Sequence, residues 1–194
     1  MYVDEDYLIL IGMRPLHDTK NSIYKDFTQV KVYELNERSN LTLVREAEIE
    51  GYYSSSRKIN DQLYLISNKH LPYYMFNEPH TRTEKEALMN DMKPTYRDTA
   101  ISSETQVVDW DKMYYFPDST ESNYLIVAGM NLAKLETPVS VNTYLGAGNT
   151  IYATKEHLYV TRTHYEYNPS TMQKMAEIIF QPLQTVKHLF ISLS

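Results

Sequence analysis

The sequence predicts an all-β chain made of a repeating strand unit. Three observations carry this reading: short runs that alternate apolar and polar residues, a tyrosine-rich composition, and a match of the chain to itself at a shift of 95 residues. The runs are YLILIG (7–12), TQVKVYEL (28–35), LTLVREAEIEG (41–51), QLYLIS (62–67), NYLIVAGMNL (123–132), VSVNTYLG (139–146), NTIYAT (149–154), HLYVTRT (157–163) and VKHLFISL (186–193). Alternation with a period of two gives each strand two distinct faces, and Asn, Asp, Gly or Pro bounds most runs. Eighteen tyrosines against five glycines and one tryptophan favour half-buried strands, ring inward and hydroxyl toward water or a partner. A carbohydrate-stacking surface is the alternative use of so many rings.

The self-match sets the order of the strands. At a shift of 95, residues 30–65 lie over 125–160 without a gap: Val32 on Val127, Asn36 on Asn131, Gly51 on Gly146, Leu63 on Leu158 and Tyr64 on Tyr159. A third start, DYLIL at 6–10, matches DQLYL at 61–65 and EHLYV at 156–160, at intervals of 55 and 95 residues. One insertion, about 68–113, accounts for the unequal intervals. A strand unit recurring every ~40–50 residues is the mark of propeller blades, each a four-stranded antiparallel sheet. The sequence therefore predicts a partial β-propeller of about two to three blades in one domain, 1–194. Blade 1 covers about 6–60, blade 2 about 61–155 with the insertion, and an incomplete blade 3 starts near 156. Closed propellers need ~4–8 blades, so open faces and strand edges predict self-association.

Within the insertion, TRTEKEALMNDM (81–92) is a helix with Thr81 or Thr83 as its cap. NPSTMQKMAEIIFQPL (168–183) is a second helical excursion, although AEIIF suits a strand equally well.

Nineteen Lys and Arg against 25 Asp and Glu give a formal charge of -6. Such a balance lacks the basic surface that nucleic acid or an anionic membrane requires. Without cysteine there is neither a disulfide framework nor a thiolate metal site. The acidic start MYVDEDYLILIG has no cationic n-region or long apolar core, so no signal peptide is expected in this chain. No stretch approaches the ~18 apolar residues of a membrane span, and the chain is expected to be soluble as written.

Four groups of residues bear on function. GYYSSSRK (51–58) lacks the G-x-S-x-G and G-x-x-x-x-G-K-[ST] patterns of a nucleophile elbow or phosphate loop. It reads as a handover between strands: Gly51 permits a bulge or sharp turn, and Ser54, Ser56 and Lys58 point opposite to Ser55 and Arg57. Arg57 is expected to bond backbone or carboxylate groups near a blade boundary, and Gly146 repeats the role of Gly51. Asp109 and Asp111 share a face if extended, a pair able to take a hard cation such as calcium. A solvated acidic turn explains them too, and no other cofactor is expected. The six histidines show no metal-ligand spacing. His70 heads the insertion beside several aromatics, and with Tyr73, Tyr74, Tyr96, Arg97 and Trp110 it would line a groove for a sugar or peptide. The alternative is that these rings pack the insertion onto its blade.

The run KVYELNERSNLTLVREAEIEGYYSSSRKINDQLYLISNKHLPYY resembles a family of bacterial secreted proteins with a C-terminal β-propeller domain, distantly related to WD40 repeats. PTYRDTAISS, MYYFPDSTESNYLIVAGMNL and NTIYATKEHLYV resemble the same family in the same order, so the likeness spans about 28–163. It implies that the chain is an internal portion of a longer exported or cell-envelope-associated protein, and it implies no catalytic residue. The expected function is a non-enzymatic binding or scaffold segment for a protein, peptide or carbohydrate ligand. The competing expectation is a hydrolase of wall polymer or peptide using Asp109, Asp111 and His70.

Overall fold

The computed structural model describes residues 1–4, 6–18, 23–35, 40–71, 80–115, 122–146, 150–153, 157–165 and 184–192. The alternating runs form strands β1 (Tyr2–Val3), β2 (Tyr7–Asp18), β3 (Ile23–Leu35), β4 (Leu41–Glu50), β5 (Tyr52–Ile59) and β6 (Gln62–His70). The insertion supplies helix α1 (Arg82–Met92), β7 (Thr95–Asp98), β8 (Ser102–Val107), a 3-10 turn (Trp110–Lys112) and β9 (Met113–Tyr115). There follow β10 (Asn123–Asn131), β11 (Ser140–Leu145), β12 (Thr150–Ala153), β13 (His157–Tyr165) and β14 (Gln184–Ser192). The first sheet has the order β1-β2-β3-β4-β7-β8 and the second β5-β6-β10-β11-β9. Both belong to a unit spanning 1–146, and an antiparallel sheet β12-β13-β14 belongs to a second unit, 147–194. No helix among the described residues is long and apolar enough to cross a membrane.

The sheets repeat one plan, and the repeat is visible in single hydrogen bonds. Gly51 N–H donates to Asp26 at 2.6 Å, and Gly146 N–H donates to Asn123 at 2.9 Å. Leu35 N–H donates to Asp6 at 2.8 Å, and Leu132 N–H donates to Asp61 at 2.7 Å. Both glycines have positive φ, 107° and 78°, a region closed to most side chains. The ungapped match is correct for β4 and β11 but slips by two residues in β3 and β10. Val30 pairs with Ala47 while Val127 pairs with Asn142, so Val127 is the counterpart of Val30 rather than of Val32. A longer β3–β4 hairpin, with a bulge at Val32/Tyr33, absorbs the difference. An even slip keeps every side chain on its face, which is why the hydrophobic pattern still agreed.

The blade boundary differs from the sequence reading. β5 leaves the first sheet and pairs with β6, so the chain crosses between sheets at Gly51. A Cβ there would lie 2.8 Å from the Asn68 carbonyl oxygen. The crossing therefore needs glycine for space as well as for φ. A register shift between Tyr53 and Ser55 also breaks the expected alternation of the serines. The bulge brings Tyr53 and Ser56 to one side, where their hydroxyls lie 2.9 Å apart and Ser56 also meets Tyr2 at 2.9 Å.

The core lies between the facing sides of the first two sheets. Ile9, Val30, Val32, Ala47 and Ile49 come from one, and Leu63, Leu65, Ile126, Ala128, Met130 and Val141 from the other. The insertion begins only after His70, since β6 continues to that residue. Its helix starts as expected, with Thr81 and Glu84 exchanging the bonds of a capping box. That contact also holds the Glu84 carboxyl below its ordinary range. Leu71, Met92 and Val108 join the core, which anchors the inserted segment at its start, after its helix and before its 3-10 turn. The helical excursion expected at 168–183 lies outside the described residues.

Candidate functional site

Charge determines where the insertion sits. Along REAEIE in β4, pleating turns Arg45, Ala47 and Ile49 toward the core and Glu46 and Glu48 to the opposite face. Strand β7, TYRD, pairs antiparallel with it, Ala47 with Asp98 and Glu48 with Arg97. On the core side Arg45 clasps Asp98 through Nε (3.0 Å) and Nη2 (2.6 Å). Asp98 also accepts the Val139 N–H at 2.8 Å, and Arg45 donates to the Thr137 carbonyl at 2.9 Å. One buried pair thus ties β4, the insertion and the β10–β11 hairpin together.

On the other face Arg97 bonds Glu46 and Glu48, and Arg14 meets Glu48 at 2.5 and 2.8 Å. Burial alone would push the Glu48 carboxyl up, but hydrogen bonds from Arg14 and Arg97 prevail and hold it at about 2. Glu50 closes the row: it accepts from Thr95 N–H and Oγ1, both at 2.9 Å, and pairs with Lys69 at 2.9 Å. Burial pushes the Lys69 ammonium down against the pull of that carboxylate.

This arrangement separates the residues that the sequence grouped into one groove. Tyr96 and Arg97 are adjacent on a strand and therefore face opposite ways. Arg97 joins the ion network, while Tyr96 faces inward and donates its hydroxyl to Gln106 at 2.9 Å. His70 is exposed at the end of β6, its ring 5.7 Å from that of Tyr52. Trp110 is exposed in the 3-10 turn with the Lys93 ammonium 4.3 Å over its ring. Tyr73 and Tyr74 lie outside the described residues. Arg57 is exposed on β5 opposite Tyr64.

Asp109 and Asp111 are not on one extended face, because the chain turns between them. Among the described residues, no group of three or more His, Asp or Glu side chains is placed to hold a metal ion.

A cleft of about 180 Å³ opens where the 3-10 turn passes β11, lined by Tyr96, Val108, Asp109, Lys112 and residues 139–142. Burial, and then the Asp109 and Asp98 charges, push the Tyr96 phenol up, which sets the Asp109 carboxylate near that ring. Past the cleft, β9 pairs parallel with β11, and Tyr114 stacks on Tyr144 at 5.3 Å. Burial and then the neighbouring Tyr114 raise the Tyr144 phenol. Tyr115 is 72% exposed beside them. Tyr96, Asp109 and Trp110 were legible as candidates from sequence. Lys112, Val139 and Asn142 were missed, as was the REAEIE–TYRD charge match that positions them all. Its one sequence signal was a strand alternating Glu with buried positions.

No curated protein matches this chain. No solved structure matches it. The family model described as a beta propeller domain matches residues 1–187, in agreement with two repeated, mainly antiparallel sheets and a third in the same strand order. The chain belongs to the beta propeller domain family.

Proposed function

We propose that the chain is a non-enzymatic recognition and scaffold module of an exported, envelope-associated bacterial protein, and that it binds protein or peptide. One observation supports the recognition role above others. The insertion is fixed to β4 by ion pairs of Arg97 and Asp98 and by hydrogen bonds of Thr95, and it presents Trp110, Tyr114 and Tyr115 to solvent along the edge of the second sheet. Large rings on a rigid support bind with little ordering cost. The test is an array of peptides alongside soluble wall-polymer fragments, with mass spectrometry of the products. Saturable binding without product supports the reading. Product whose formation is lost on Asp109→Ala or Asp111→Ala overturns it in favour of a hydrolase. Export is checked by fractionating bacteria that express the native gene, and a purely cytoplasmic signal overturns that part.

The same reading includes self-association. The outward face of the first sheet carries Leu35, Leu41 and Leu43, all exposed, at the end of the β3–β4 hairpin, with Leu10 exposed on β2 opposite Lys31. A clustered apolar patch of this kind favours contact with a second copy.

A further inference from the structure

We propose that the cleft between the 3-10 turn and β11 binds an extended peptide as an added strand, holding one small apolar side chain between oppositely charged neighbours. The inference rests on the recognition role proposed above and names its ligand. Strand β11 pairs with β10 from Ser140 to Leu145, whereas β9 covers its other edge only from Thr143 to Leu145. The stretch Ser140–Asn142 therefore has a ladder on one side only. In such a strand alternate residues turn N–H and C=O outward, which is the template for strand addition. The cleft opens on this short edge.

Its walls define the side chain it takes. Val108, Val139 and Val141 are buried apolar residues of the lining. A space of about 180 Å³ is below the ~300–1,000 Å³ of ordinary small-molecule pockets, and it suits one small residue rather than a sugar chain. The Tyr96 hydroxyl gives its proton to Gln106, which leaves its oxygen only as an acceptor.

Its rim defines the neighbours. Asp109 precedes the 3-10 turn but makes no side-chain capping bond to it. Neither Asp109 nor Lys112 joins an ion pair among the described residues. A carboxylate and an ammonium thus line one small cleft without being spent on each other. A strand with a cation on one side of the seated residue and an anion on the other complements both.

The experiment uses the full chain, 15N-labelled, titrated with acetyl-Lys-Val-Glu-amide and acetyl-Glu-Val-Lys-amide, which cover both strand directions. Trp110, the single tryptophan, gives a parallel fluorescence signal next to Asp109. The expected result is saturable shifts of the amides of residues 139–142 and Lys112 with one of the two peptides. Methylating the backbone amides of that peptide abolishes them, and Lys112→Met weakens binding roughly fivefold, as loss of a rim charge does. Free valine giving the same shifts overturns strand addition, as does silence at about 5 mM peptide, beyond the range of useful affinity. Saturable shifts confined to other residues overturn the cleft while leaving the recognition role standing. Cleavage of either peptide overturns the recognition role itself, wherever the shifts fall.

Discussion

Arg45 and Asp98 form a two-bond ion pair in which neither side chain reaches solvent, at 3.0 and 2.6 Å, although 53 residues separate them in sequence. Arg45 lies in β4 of the first repeat and Asp98 in the segment inserted into the second. Their contact makes the insertion part of both sheets. Removing one partner strands a buried charge, so Arg45→Met or Asp98→Leu alone is expected to cost about 3–5 kcal/mol. The double variant should cost less than either single change, because no charge is left behind. Urea unfolding of the three variants measures this, and additive losses would contradict it.

Glu48 predicts how stability responds to acid. Its carboxyl titrates at about 2 instead of 4.5, so the folded state holds the proton more weakly than the unfolded chain. The stabilisation is fully present above the unfolded value and is lost as pH falls through the folded one. The window thus runs from roughly pH 5 down to about 2, with an upper limit on the order of 3 kcal/mol. Unfolding curves of the native chain and Glu48→Gln should converge toward the acid end of this window. A constant gap across it would show that the ion pairs with Arg14 and Arg97 contribute nothing.

The glycines should separate by geometry. Gly51→Ala combines φ of 107° with a Cβ lying 2.8 Å from backbone, and the expected loss exceeds the ~1 kcal/mol of a simple positive-φ substitution. Gly12→Ala meets nothing within 4 Å and is expected to be neutral or slightly stabilising. Thermal melts of the two variants read this directly.

Self-association has a direct test in light scattering on a sizing column. The expected molar mass is at least twice 22.8 kDa, falling to the monomer value in the Leu41→Glu, Leu43→Glu double variant. Both positions are exposed, so folding should be untouched. A monomeric native chain would contradict the proposed association.

What the sequence alone determined was periodic and local. Alternation marked the strands, Gly51 and Gly146 marked equivalent turns, and Thr81, one of two candidate caps with Thr83, marked the helix start. Each of these is set by neighbours within a few residues or by recurrence along the chain. Three things were decided only in three dimensions. β5 pairs forward with β6, because Gly51 directs the chain into the next sheet. Tyr96 and Arg97, grouped by sequence, are parted by the pleat as soon as β7 docks on β4. The cleft arises from the distance over which β9 accompanies β11. Charge pairing and edge length depend on partners dozens of residues away, and a linear pattern does not encode which distant strand will supply them.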